Sequence, residues 1–270
     1  MWIDTHCHLD AHEFGAESAA VAARARAQGV AMIVIPAIEK GNFQRVAQLA
    51  ASVGNASYAL GIHPIHVPQA GEDDLAALRT AVAAALGDPR FVGIGEIGLD
   101  FFIPMLKEPA MREKQAHFFR EQLRIARDFA LPVLMHVRRS QDVVLKHLRQ
   151  IGPAGGIAHA FNGSFQQAQM YIDLGFKLGF GGAMTFTRAL QIRRLATDLP
   201  LAAIVLETDA PDLAPSWLHP ARNSPQQLPA IGAMLAGLRG IGADEVALAT
   251  TANARVALPR MVLPAETGAR

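Results

Sequence analysis

The opening stretch Met1-Trp2-Ile3-Asp4-Thr5-His6-Cys7-His8-Leu9-Asp10 carries an apolar start straight into two histidines separated by one residue. It reads as a first strand ending in a metal-binding pair. Side chains alternate faces along an extended chain, so His6 and His8 project the same way while Cys7 points opposite, and both imidazoles can reach one ion. Two histidines alone are a weak signal. Whether they form a site depends on what the later strands bring beside them.

Working outward, short apolar runs alternate with helical patterns. An Ala/Arg-rich helix is expected over residues 17–28, stopped by Gly29, and residues 30–36 form a β-branched run of the buried-strand type. The rhythm then repeats. Helices are expected over 42–53, 72–86, 112–129, 141–151, 165–174, 190–198, 226–238 and 244–256, the last two closing the chain. Between them lie strands over 58–62, 91–97, 132–137, 156–160, 176–180 and 203–209, with an irregular piece around 103–109. Eight strands alternating with helices argue for a parallel sheet. The alternative is an open Rossmann-like sheet. Eight repeats at this length favour a closed (β/α)₈ TIM barrel, and no Gly-x-Gly-x-x-Gly turn opens the first helix to ask for a dinucleotide.

Composition agrees with one barrel domain spanning residues 1–270. The chain has 51% hydrophobic residues, enough for a large core, and a barrel of this kind typically needs roughly 250 residues. The longest apolar runs fall far short of the roughly 20 residues of a membrane span. With no leader-like N-terminus and a single cysteine, Cys7, the expectation is a soluble cytoplasmic protein without a disulfide framework. A formal net charge of +1 gives no global field for nucleic acid, so binding of a polyanion would be local. No segment calls for an obligate protein partner.

Placed on this frame, the polar residues converge. His6 and His8 end the first strand, Glu96 lies late in the fourth, His136 in the fifth, His159 in the sixth, and Asp209 ends the eighth. All lie toward the C-terminal strand ends, the face on which barrel enzymes assemble active sites. Singly, each has an ordinary reading as a core histidine, cap or ion-pair member. Jointly, four imidazoles and two carboxylates amid Val, Ile and Leu are costly unless they pair or coordinate, and they suffice for two metals sharing a bridging carboxylate and hydroxide.

These segments also resemble a known family. Ile3-Asp4-Thr5-His6-Cys7-His8, Gly61-Ile62-His63-Pro64, Gly95-Glu96-Ile97-Gly98-Leu99-Asp100, Leu134-Met135-His136, His159-Ala160-Phe161 and Leu206-Glu207-Thr208-Asp209-Ala210-Pro211 are similar, in order and over nearly the whole chain, to the signatures of the TatD family of metal-dependent deoxyribonucleases. The resemblance implies a (β/α)₈ barrel, divalent-metal hydrolysis of DNA, and His6, His8, Glu96, His136, His159 and Asp209 as ligands with Glu96 bridging. Two departures stand out. Arg222-Asn223-Ser224-Pro225 has Ser where the family usually has Glu, and Asn162 replaces the usual Ser or Thr.

The expected chemistry is 3′–5′ exonuclease-like attack on a phosphodiester by water activated between two divalent ions. Asp209 is the candidate proton acceptor, and Glu96 the second catalytic carboxylate. His63 and Arg138 are candidate phosphate contacts, since a guanidinium pairs with two phosphate oxygens at once. Arg188, Arg193 and Arg194 read instead as an exposed helix face, and the role of Glu207 is open. An imidazole-rich shell suits Zn, Mn, Fe, Co or Ni better than Mg, which nonetheless serves in assays. Two alternatives share the sequence: an ester or amide hydrolase on the same metals, acting on aminoacyl-tRNA or a small molecule, and a non-catalytic metal-binding scaffold.

Overall fold

The computed structural model describes residues 1–263; the domain end expected at residue 270 lies outside them. Eight strands form one parallel sheet in sequence order: β1 (Trp2–Asp4), β2 (Val30–Pro36), β3 (Ala56–Leu60), β4 (Phe91–Asp100), β5 (Val133–Arg138), β6 (Gly156–Ala158), β7 (Phe176–Phe180) and β8 (Ile204–Leu206). Helices α1 (Ser18–Ala27), α2 (Phe43–Ser52), α3 (Glu72–Ala85), α4 (Pro109–Asp128), α5 (Gln141–Ile151), α6 (Phe165–Asp173), α7 (Leu190–Asp198) and α8 (Leu228–Arg239) follow the successive strands, and α9 (Ala243–Ala257) ends the order. The architecture is the (β/α)₈ barrel. Among the described residues no helix is long and apolar enough to cross a membrane.

Two packed layers follow from the two-residue period of a strand. Residues such as Ile33, Ile35, Phe91 and Met135 face outward onto the helices, whereas Ile3, Met32, Val34, Ala59, Val92, Leu134, Ile157 and Val205 fill the barrel interior. Ala254, Ala257, Leu258 and Met261, from α9 and the segment after it, cap that inner cluster at the floor. Along β5 the inward residue after Leu134 is His136, after Ile157 comes His159, and after Val205 comes Glu207. An apolar floor thus supports a polar upper layer, each polar residue two positions along from an apolar one.

The barrel is closed by a seam that carries more side-chain bonds than a plain ladder. Thr5 N–H donates to Leu206 O at 3.1 Å, Asp209 N–H to His6 O at 2.8 Å, and His8 N–H to Ala210 O at 2.8 Å. The Asp4 carboxylate accepts from Thr208 twice, from N–H at 2.9 Å and from Oγ1–H at 2.6 Å. Asn223 then donates to Thr208 O at 2.8 Å, tying in the loop after β8.

Several strand limits differ from the sequence reading: β3 and β6 each end two residues early, at Leu60 and Ala158, and three further differences have a clear physical reason. β8 stops at Leu206 instead of running to Asp209, because Thr208 turns its donors to Asp4 and Asp209 takes a left-handed φ of 53°. β1 stops at Asp4, so His6 and His8 lie just past the strand, held by Cys7 N–H on Val34 O and His8 N–H on Ala210 O. β4 continues to Asp100, pairing Gly98 with His136 and Asp100 with Arg138 after a register shift between Ile94 and Ile97. Glu96 is therefore within a strand, not at its end. Gly98, at φ 149°, is obligatory here because the His136 backbone occupies the place a Cβ would take.

The seam gives a direct test. Thr208→Val keeps the shape but leaves the buried Asp4 carboxylate short of a donor, so unfolding in denaturant is expected to show a loss of about 1–3 kcal/mol. An unchanged midpoint would mean the seam bond contributes nothing net.

Candidate metal centre

At the top of the barrel the side chains converge on Glu96, which is 2% exposed. Its two oxygens face different partners. Oε2 lies 3.1 Å from His6 Nε2 and 3.4 Å from His8 Nε2. Those two imidazole nitrogens are 3.3 Å apart, and each is 3.6 Å from Asp209 Oδ1. Oε1 lies 3.2 Å from His136 Nδ1 and 3.0 Å from His159 Nε2, which are themselves 3.4 Å apart.

These separations fit divalent ions. Ligand atoms about a four-coordinate ion with bonds of roughly 2.05 Å sit about 3.3–3.4 Å from one another. Glu96 Oε1, though surrounded by imidazole nitrogens, has no hydrogen-bond partner, and neither does His6 Nδ1. Three overlapping groups have the composition and closeness of ligand sets: His6–His8–Asp209, His6–Glu96–His159 and His63–Glu96–His136.

At His136 and His63 a hydrogen bond on the far side of the ring decides which nitrogen is available. Asp100 Oδ1 accepts from the N–H groups of Phe102 at 2.7 Å and Ile103 at 3.1 Å, while Oδ2 lies 3.1 Å from His136 Nε2. Burial raises the Asp100 pKa, but these bonds outweigh it and hold the carboxyl at about 2. An ionised Asp100 fixes the proton of a neutral His136 on Nε2 and turns the Nδ1 lone pair toward Glu96. Glu207 stands on the corresponding side of His159 as a charge without a hydrogen bond: Oε1 accepts from Ala160 N–H and lies 3.6 Å from His159 Nδ1, which has no hydrogen-bond partner. Gly179 has no side chain because the Glu207 carboxylate occupies that space.

His63 behaves differently. Its Nδ1 accepts Ile65 N–H at 3.1 Å, so the neutral ring carries its proton on Nε2, 3.4 Å from Glu96 Oε1. Burial pushes its pKa down to about 4 and keeps it neutral. A protonated nitrogen is a donor, not a ligand. Arg138, the last residue of β5, is half exposed, with Nη1 3.9 Å from Asp100 Oδ2. Arg193 instead donates to Met184 O at 3.1 Å, and Arg194 lies over Phe165, away from the cluster.

Sequence reasoning did not single out Asp100, Asp4 or Gln115. Gln115 accepts from Asp100 N–H at 2.9 Å and donates to Leu106 O at 2.7 Å, fixing the Asp100 backbone. The Asp100 position in Gly-Leu-Asp, four residues after Glu96, was the available signal. The role of Glu207 was open from the sequence; the fold places its Oε1 3.6 Å from His159 Nδ1.

The family-level match agrees with this geometry. Residues 3–259 match the model for TatD related DNase. The chain belongs to the TatD family. YjjV of Escherichia coli K12, named an uncharacterized metal-dependent hydrolase, is 38% identical over 253 residues, covering 93% of this chain and 95% of its own. The crystal structure of that TatD homologue superposes with a TM-score of 0.89 at 37% identity, covering 96% of this chain and 98% of the other. Human TATDN3, named a deoxyribonuclease, is 29% identical over 264 residues, 96% of this chain and 95% of its own. This TatD-family chain is accordingly a metal-dependent hydrolase.

The cluster also sets a pH dependence. Burial opposes the charged form of His8, but its bond to Glu96 and the carboxylates of Glu96 and Asp209 raise its pKa to about 9. His136 and His159 are raised against burial in the same way, by Asp100 and Glu96 for the first and by Glu96 and Glu207 for the second. Burial lifts Asp4 to about 8. Between pH 6.5 and 9 the folded chain keeps protons on these groups that the unfolded chain releases, so stability falls as pH rises. His6 and His63, pushed down to about 3 and 4 chiefly by burial, are neutral in the folded chain across that window and oppose the trend only near pH 6.5, where the unfolded imidazoles lose their last protons. Thermal melts of chelator-treated protein are expected to show a lower midpoint at pH 9 than at pH 6.5; a rising midpoint would contradict the pairing scheme.

Proposed function

We propose that this TatD-family hydrolase cleaves phosphodiester bonds of DNA from a strand end, in the manner of a 3′–5′ exonuclease, using two divalent ions. In this reading His6, His8, Glu96 and Asp209 hold one ion, and Glu96, His136 and His159 the other. The observation that carries it is the split carboxylate of Glu96, whose oxygens face different imidazole sets at ligand-to-ligand spacing. The names of the family and of human TATDN3 support DNA as the substrate.

Bound divalent ions supply a water acidified to near neutrality and positive charge against the phosphate oxygens. The chain's own groups do the rest. Asp209 is the acceptor for the proton released as water attacks phosphorus and the P–O3′ bond breaks, the departing 3′ oxygen taking up a proton from solvent. In the metal-free chain burial raises its pKa to about 6 against the pull of His159 and His8. His63 donates its Nε2–H to a non-bridging phosphate oxygen, and Arg138 offers two N–H groups to the same phosphate. The buried floor of Leu134, Ile157 and Val205 excludes bulk water from beneath the reacting atoms.

A panel of single-stranded DNA, RNA, a phosphodiester dye and an aminoacyl ester, each with Zn, Mn, Fe, Co, Ni or Mg, tests the reading. DNA turnover is the expected outcome; ester hydrolysis without phosphodiester turnover would replace it by an aminoacyl or small-molecule esterase on the same site. Metal analysis of protein purified without chelator is expected to find close to two ions per chain, and fewer than one would count against the pair. Asp209→Asn, reloaded with metal, is expected to keep the fold and lose about 10²–10⁴ in kcat. Wild-type rates in that variant would remove Asp209 as the proton acceptor.

A further inference from the structure

Beside the cluster, on the rim formed by the segment after β4 and the end of β5, two consecutive aromatic residues collect three arginines. The Arg138 guanidinium carbon lies 3.9 Å from the Phe102 ring centroid and that of Arg139 4.6 Å from the same centroid. Arg112, in the first turn of α4, sits 4.6 Å from the centroid of Phe101. Phe102 is 41% exposed and its neighbour Met105 54%. Large exposed apolar side chains beside a polar cleft mark contact surfaces more often than chance placement does.

The charges on this rim lack counter-ions. Among the described residues Arg112 and Arg139 form no ion pair, and Arg138 has only Asp100 at 3.9 Å. That carboxylate is already engaged by His136 and two backbone N–H groups. Two guanidiniums on one ring repel each other, and cation–π attraction of about 0.5–1 kcal/mol at an exposed site is a small offset. Arg139 is also held at φ 55°, a left-handed conformation that L residues adopt at a cost. The following Ser140 anchors the turn, donating its hydroxyl to Leu99 O at 2.7 Å. Uncompensated like charges held in place by a strained, anchored backbone are what an anion would relieve. In a chain of net charge +1 the feature is local.

We propose that Phe101, Phe102, Arg112 and Arg139 form a second phosphate subsite, which holds the phosphate of the nucleotide next to the scissile linkage in a single-stranded polynucleotide. Arg138 stands between it and the metal centre, two residues along β5 from His136. The aromatic rings orient the guanidinium planes, and each arginine presents paired N–H donors to phosphate oxygens. A flanking base can stack on the exposed part of Phe102 or on a guanidinium plane, which is tolerant of sequence. The subsite rests on the phosphodiesterase reading for its part in turnover, but not for binding.

The test compares substrates with one and with many phosphates. Arg112→Gln, Arg139→Gln and the double variant are assayed on a single-stranded DNA decamer and on bis(p-nitrophenyl) phosphate, with melting temperatures as a folding control. The double variant is expected to raise KM for the decamer about tenfold while kcat/KM for the dye stays within twofold. The slope of log(kcat/KM) against log salt on the decamer should flatten by about 0.7 per arginine removed. Equal losses on both substrates, or none on the decamer, would overturn the subsite. Anisotropy of a labelled decamer with chelator present separates the two readings. Weaker binding by the variants supports the subsite even if the enzyme hydrolyses no phosphodiester, and equal binding refutes it even if the enzyme does.

Discussion

The closure of the barrel at Asp4 and Thr208 is the constraint on which the site depends. His6 and His8 lie just past the first strand, and Asp209 lies just past the last, about 200 residues away in sequence. They meet only because the sheet returns on itself. The return is secured by a buried carboxylate accepting from a backbone amide and a hydroxyl of one threonine. Such bonds contribute about 1 kcal/mol each when made and cost more when left half-made. The seam is therefore a device of register as much as of stability: a slip of one residue would turn His6 or Asp209 away from the common point.

Above the seam, burial does most of the electrostatic work. A carboxylate as enclosed as Glu96 ought to resist ionisation, yet the ring of histidines around it, with His8, His136 and His159 raised in turn, holds its pKa well below the ordinary range. The same enclosure raises Asp209 to about 6, so two carboxylates in one cavity are driven apart in proton affinity. In the metal-free chain one is a fixed negative charge and the other holds its proton closer to neutrality. Environment, not residue type, sets the difference.

A further set of groups holds these in place. Asp100 hydrogen-bonds the far nitrogen of His136 and so turns its Nδ1 toward Glu96, while Glu207 lies 3.6 Å from His159 Nδ1 and that ring presents Nε2 to Glu96. His63 is set by a backbone amide instead, which leaves its donor facing inward. Orientation by hydrogen bonding at the far nitrogen is how a protein chooses between two chemically similar ring atoms. The arginine and phenylalanine rim extends the site outward from Asp100, so one strand end serves both the cluster and the surface around it.

The alternation of apolar runs and amphipathic helices determined the barrel by itself. Strands buried on both faces need continuous Val, Ile and Leu, and eight of them separated by helices favour closure over an open sheet at this length. The convergence of His6, His8, Glu96, His136, His159 and Asp209 was legible for the same reason: a polar residue at the end of an apolar strand stands out against its own period. Strand limits were read less well at β1, β3, β4, β6 and β8, and at β1, β4 and β8 tertiary bonds override local preference. Thr208 bends away to reach Asp4, and β4 runs on because Gly98 lets β5 approach. Only the folded chain decided that Glu96 divides its oxygens between two imidazole sets, that Asp100 stands behind His136, and that His63 presents a proton. Those are matters of distance and direction between residues far apart in sequence, and a one-dimensional pattern carries composition and period but no orientation across a closed sheet.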